Sequence, residues 1–146
     1  MKEEGCDEVD VVMNIGKLKS GLFAEVEEDL GSVIEVIKPL PVKVIIEIMY
    51  LTPEEVERAC AMCLSTDATF VKTGTGWADR ATTIEDVRAI KSLVGDKVKI
   101  KASGGIRNLE TLLAMYQAGA RRFGVNLRSG LHVLDECLLL PHGIEV

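Results

Sequence analysis

The sequence predicts an α/β fold of repeated βα units around a parallel sheet that curves inward. Three observations carry this expectation. Short β-rich runs alternate with amphipathic helical runs along the whole chain. They recur at intervals of about 25–35 residues, the spacing of right-handed βαβ crossovers. The strand runs also alternate polar and apolar side chains, whereas parallel strands covered on both faces read as continuous apolar runs.

The first strand is read over residues 8–15. In residues 20–38, Leu22, Val26, Leu30, Val33 and Ile37 fall at steps of three and four, one face of a helix. The second strand covers 42–48. Thr52-Pro53-Glu54-Glu55 then supplies an N-cap, a proline at the first helical position and a capping-box glutamate. The third strand covers 69–75. The helix after it opens at Thr82 or Thr83, with Glu85 or Asp86 three residues on, and carries Val87, Ile90 and Val94. The fourth strand covers 97–103. Its helix starts near Asn108, carries Leu112, Met115 and Ala118, and closes at Gly119. The fifth strand covers 122–127, and residues 131–140 form a last helix that ends before Pro141.

The chain has 146 residues, a length that suits one domain over 1–146 with no linker. With 47% hydrophobic residues it is not disordered. A net charge of -6 and a pI near 5.0 argue against a general nucleic-acid binder. No apolar run approaches the roughly 20 residues of a membrane span. The N-terminus lacks the apolar core of a secretory signal, so a cytoplasmic location is expected. Four cysteines are then free thiols rather than a disulfide frame. Cys60-Ala-Met-Cys63 has no second pair or histidines to complete a zinc site, and it reads as small apolar residues on a helix face, with a redox pair as the alternative.

The alternation places Val9, Val11 and Met13 on one face of the first strand and Glu8, Asp10 and Asn14 on the other. In the second strand Val42, Val44 and Ile46 oppose Lys43 and Glu47. In the fourth, Val98, Ile100 and Ala102 oppose Lys97, Lys99, Lys101 and Ser103. A flat sheet with one face in water would also alternate. A (β/α) barrel is favoured, because its strands point alternate side chains into a shared interior and its strand ends form a catalytic mouth. Lys97 and Lys43, near strand starts, are expected at the barrel floor or in solvent.

In that mouth lie Lys72 and Lys101 on successive strands and Asp10 on an earlier one, each read as at or just before its strand's end. A lysine amine is a poor nucleophile while protonated, and a second ammonium close by disfavours the charged form. The free amine can attack a carbonyl to give an imine, with a carboxylate moving protons. Gly74-Thr75-Gly76 follows Lys72, and Ser103-Gly104-Gly105 follows Lys101 and leads toward a helix start. Backbone N–H groups in such turns suit a phosphate; tight βα turns needing positive φ are the plain alternative.

Glu8-Val-Asp-Val-Val12, Lys43-Val-Ile-Ile-Glu47, Phe70-Val-Lys-Thr-Gly-Thr-Gly76 and Lys101-Ala-Ser-Gly-Gly-Ile-Arg107 occur in order. Together these blocks resemble the deoxyribose-phosphate aldolase family of class I, Schiff-base aldolases, from about residue 5 to 130. The resemblance implies a TIM (β/α)8-barrel and reversible cleavage of 2-deoxy-D-ribose 5-phosphate to D-glyceraldehyde 3-phosphate and acetaldehyde. It implies Lys72 as the Schiff-base lysine, Lys101 as the neighbour that perturbs it, and Asp10 as the acid of a proton relay. Ser103, Gly104, Gly105 and Thr73 would bind substrate and phosphate, with Asn126 or Arg128 standing where the family often has small hydroxyl residues. No metal or organic cofactor is implied. The sequence departs from the family at Gly74, where serine is common, and at Phe123-Gly-Val-Asn-Leu127.

Only five strands are countable, so a partial barrel of about five βα units is expected, lacking the family's first three. Met1-Lys-Glu-Glu-Gly reads as the tail of a helix cut short. Two exposed parallel edges favour a homo-oligomer or a complementing N-terminal fragment. Two other readings stand beside the aldolase: a catalytically silent fragment that only associates, and a Schiff-base lyase for a different aldehyde or sugar. Neither a nucleic-acid partner nor a membrane is expected.

Overall fold

The helix starts follow their capping residues. In the computed structural model, which describes residues 5–144, Thr52 accepts from Glu55 N–H while the Glu55 side chain bonds back to Thr52 N–H. Thr83 and Asp86 form the same reciprocal pair. Asn14, Asn108 and Asn126 each accept a backbone N–H three residues on.

The chain runs β1 (Val9–Val12), α1 (Ile15–Lys19), α2 (Phe23–Ile37), β2 (Val42–Ile45), a 3-10 turn (Ile48–Tyr50), α3 (Pro53–Ser65), β3 (Phe70–Lys72), α4 (Ile84–Val94), β4 (Lys99–Ser103), α5 (Leu109–Gln117), β5 (Arg122–Gly124) and α6 (Leu127–Leu138). The five strands form one sheet in sequence order, every neighbouring pair parallel. Residues 1–4, read above as the tail of a helix, lie outside the described residues.

One sheet face is the core. Val42, Val44, Ile46, Val71, Ile100 and Ala102 pack there against Val26 and Leu30 of α2, Ala59 and Cys63 of α3, Val87 and Ile90 of α4, and Met115 of α5. The other face carries rows set by the register. Asp10 is level with Lys43, which is level with Phe70, itself level with Lys99. One step along, Val12, Ile45, Lys72, Lys101 and Arg122 are level.

This second face is concave. Five flat strands would set the outer two about 19 Å apart, beyond the combined reach of an arginine and a glutamate. Yet Arg122 on β5 donates to both carboxylate oxygens of Glu8 beside β1, at 2.6 and 2.9 Å. The sheet therefore curls into an arc, and its polar face is the inside of the arc.

Candidate active site

Asp10 is the hub of the interior. Its Oδ1 accepts from Lys43 Nζ at 2.9 Å, and its Oδ2 accepts from both Lys72 Nζ at 2.7 Å and Lys101 Nζ at 3.0 Å. Lys43 continues to Glu8 at 2.8 Å, and Glu8 to Arg122. Four cations thus meet two carboxylates inside a chain of net negative charge. Partial burial would raise the Asp10 pKa, but the bonds from Lys72, Lys43 and Lys101 overcome it and hold this carboxyl far below the usual carboxylate range. Burial would likewise lower the Lys43 pKa; bonds to Glu8 and Asp10 raise it instead. Glu8 is lowered by its bonds to Lys43 and Arg122.

The structure corrects two positions. Asp10 is the second residue of β1, level with Lys43 and one row below the lysine pair, so its side chain reaches up and across to them. Of the two places expected for Lys43, solvent is excluded: it lies one row below the lysine pair, 4% exposed and doubly ion-paired.

Above the lysines, past the ends of β3, β4 and β5, lies a polar cavity of about 460 Å3. Lys72, Lys101, Ser103, Gly104, Gly105 and Asn126 all line it, as does Arg107. Gly104 and Gly105 have φ of 96° and 85°, and a Cβ on Gly105 would fall 2.5 Å from Ala81 Cβ, so this turn excludes other residues. A Cβ on Gly124 would fall 2.4 Å from Ser103 Oγ, which explains a glycine at that end of β5. At Gly74 a Cβ would come 3.0 Å from Met49 Sδ, a tight approach that the methionine would have to yield to.

Two predicted ligands lie elsewhere. Thr73 is fully buried and does not line the cavity; its hydroxyl pairs with Thr82 Oγ1 at 2.8 Å, donates to Ser103 O and accepts Ser103 N–H. It ties β3 to the Ser103 turn. Arg128 lines an adjoining cavity of about 580 Å3 with Arg107, Asn126, Ser129 and His132. The sequence reading missed Arg107 as a site residue although it closes the fourth block; a cation at the mouth of a glycine turn was the signal. It also missed Ser129, whose N–H is capped by Asn126.

Cys60 and Cys63 sit buried on α3 with thiol pKa values pushed up by burial, Cys60 to about 12. They are small apolar residues, as read. Among the described residues no helix is long and apolar enough to cross a membrane.

Parallel βα units arched around a lysine–carboxylate interior, with a polar cleft at the carboxyl ends of the strands, define a βα-barrel protein. A family model described as DeoC/LacD family aldolase matches residues 1–134. The deoxyribose-phosphate aldolase of Rhizobium meliloti (strain 1021) is 43% identical over 143 residues, covering 98% of this chain and 58% of that protein. The one from Staphylococcus epidermidis (strain ATCC 12228 / FDA PCI 1200) is 47% identical over 131 residues, 90% of this chain and 59% of that protein. Among solved structures, the aldolase QR15 superimposes with a TM-score of 0.89 at 41% identity, over 94% of this chain and 62% of that one. A deoxyribose phosphate aldolase from Aeropyrum pernix, described as tetrameric, gives 0.80 at 27% identity, over 92% of this chain and 56% of that one.

The chain belongs to the DeoC/LacD family of aldolases. It spans somewhat over half the length of the curated relatives it matches, and its fold is a partial TIM barrel of five βα units.

Proposed function

We propose that the chain carries the site of a class I aldolase that reversibly cleaves 2-deoxy-D-ribose 5-phosphate to D-glyceraldehyde 3-phosphate and acetaldehyde. The observation that carries this reading is the sharing of one carboxylate oxygen, Asp10 Oδ2, by Lys72 and Lys101. Two amines on one oxygen are closer together than the sum of those two bonds. A nucleophile, a second proton donor and an acceptor therefore stand in one place.

Lys72, on the cavity wall, attacks the C1 aldehyde of the open-chain sugar as a free amine, and loss of water leaves an imine. A base takes the proton of the C3 hydroxyl, and the C2–C3 bond breaks. C3 becomes the aldehyde of glyceraldehyde 3-phosphate, and the electron pair moves onto the imine as an enamine. Protonation at C2 and hydrolysis release acetaldehyde and restore Lys72. Lys101 and Asp10 carry the protons in these steps. Gly104, Gly105 and Ser103, with Arg107 and Asn126, receive the phosphate through backbone N–H groups and a guanidinium. Thr73 supports that turn from behind, and Arg128 serves the adjoining cavity. Neither a metal nor an organic cofactor enters this scheme. Four unpaired cysteines agree with a cytoplasmic setting.

Borohydride reduction in the presence of acetaldehyde tests the reading. A covalent adduct on Lys72 is expected, absent in Lys72→Ala. No adduct, or an adduct undiminished in that variant, ends the assignment. Equal turnover of deoxyribose with and without its phosphate would remove the phosphate site and leave a Schiff-base lyase for another sugar.

One observation favours association as a condition of activity: among the described residues β1 and β5 are open parallel edges. We propose that they pair with another copy or with complementary βα units. Light scattering tests this, with a fully active monodisperse monomer as the contrary result.

A further inference from the structure

The aldolase scheme leaves unused one buried acid, Glu47, and its geometry is costly. Glu47 is 5% exposed and follows β2 on the concave side. Its backbone is left-handed, with φ 50° and ψ 53°, a region that a residue with a long side chain rarely adopts. Its Oε2 is buried with no hydrogen-bond partner among the described residues. It does not cap the 3-10 turn that it begins. Strain and an orphaned buried oxygen together mark a residue held for something other than stability.

What the carboxylate does hold is a loop. Oε1 accepts the Thr75 backbone N–H at 2.7 Å, across from the neighbouring βα unit. Thr75 and Gly76 form the cavity wall next to Lys72. Thr75 in turn accepts the Trp77 N–H through its hydroxyl at 3.3 Å. A Cβ at Gly74 would come 3.0 Å from the end of the Met49 side chain and 3.6 Å from Glu47 Oε2, so the loop lies close to both.

We propose that Glu47 is a positioning residue of the cavity: its carboxylate, aimed by the left-handed turn, pins the Thr75–Gly76 loop and so fixes the wall against which a phosphorylated ligand rests. For its ligand this rests on the aldolase reading; for the loop it does not. Glu47 reaches the ligand only through Thr75. Imine formation with a small aldehyde such as acetaldehyde needs Lys72 but not that wall.

Glu47→Gly keeps the backbone conformation, which glycine adopts without strain, while it removes the carboxylate together with its two methylenes. In the full chain, amide hydrogen exchange at Thr75 should quicken by about tenfold to a hundredfold, the loss expected for one charge-assisted hydrogen bond. The dissociation constant for glyceraldehyde 3-phosphate, and KM for deoxyribose 5-phosphate, should rise by a similar factor, with thermal stability retained. Acetaldehyde trapping at Lys72 should stay within about twofold, given that no bond to the lysine cluster is removed. Thr75 exchange as slow as in the wild type overturns the proposal, and so does trapping that falls in step with the affinity. A wild-type chain that neither traps acetaldehyde nor binds glyceraldehyde 3-phosphate ends the aldolase reading instead, and Thr75 exchange then decides the role of Glu47 by itself.

Discussion

Replacing Asp10 by asparagine removes the negative charge that three lysines share, and its cost can be worked from their surroundings. Lys72 and Lys101, with side chains 12% and 16% exposed, have the cleft and its water to turn to. Lys43, with a side chain 5% exposed, does not; it keeps Glu8 at 2.8 Å and an uncharged amide oxygen in place of the carboxylate. Single charged hydrogen bonds contribute about 1.5–3 kcal/mol, and two of the three ammoniums regain solvent, so a loss of about 2–3 kcal/mol at pH 7 is expected rather than the full sum. The pH dependence carries the sign. The folded carboxyl is held below its unfolded value of about 3.9. Its stabilisation is therefore complete above that value and lost as pH falls through the interval beneath it, at about 1.4 kcal/mol per pH unit. Asparagine does not titrate. Urea unfolding followed by circular dichroism should give a wild-type advantage near 2–3 kcal/mol at pH 5–7, narrowing by roughly 1 kcal/mol by pH 3. An advantage that stays constant from pH 5 to 3 would refute the argument, because the carboxylate's bonds would then not be what stabilises the arc.

Gly105→Ala combines a positive φ with a 2.5 Å approach to Ala81, and should cost about 1–3 kcal/mol in denaturant unfolding and weaken phosphate binding. Thr82→Val removes the hydroxyl that donates to Ser103 O at 2.6 Å; a loss of about 1–2 kcal/mol is expected, with Ser103 and Gly104 resonances displaced in NMR spectra. Thr52→Ala removes the α3 cap and should lower stability by about 1 kcal/mol without altering acetaldehyde trapping at Lys72. A thiol reagent at pH 8 should label Cys6 and Cys137 quickly in the native protein and all four cysteines only after unfolding; fast labelling of four would contradict the burial of Cys60 and Cys63.

The features legible in the sequence were those fixed by local chemistry. Thr52 with Glu55, and Thr83 with Asp86, announce helix starts because the reciprocal bonds lie within one turn. The two-residue alternation separates Val42, Val44 and Ile46 from Lys43 and predicts a polar interior. Alternation predicts strands that are too long wherever a side chain stops the ladder. Met13 and Ile15 continue the alternation, but Asn14 accepts Lys17 N–H and opens α1. Likewise Asn126 opens α6 at Leu127, four residues before the position expected from apolar spacing. The spacing predicts Val33 on the buried face of α2, but Ile34 occupies it. Roles decided by distant residues were not legible. Lys43 looks like a solvated charge until Glu8 and Asp10 are seen against it. Thr73 looks like a ligand until Thr82 and Ser103 engage its hydroxyl. Nothing local marks Glu47 as left-handed.

The pair between Glu8 and Arg122 joins positions 114 residues apart. Closing so large a loop in an otherwise unstructured chain costs about 4 kcal/mol in entropy, more than a partly exposed ion pair returns. It can form cheaply only once the intervening units have docked side by side and shortened the gap. This contact is accordingly a late seam in assembly: where it is made, the ordering of everything between has already been accomplished.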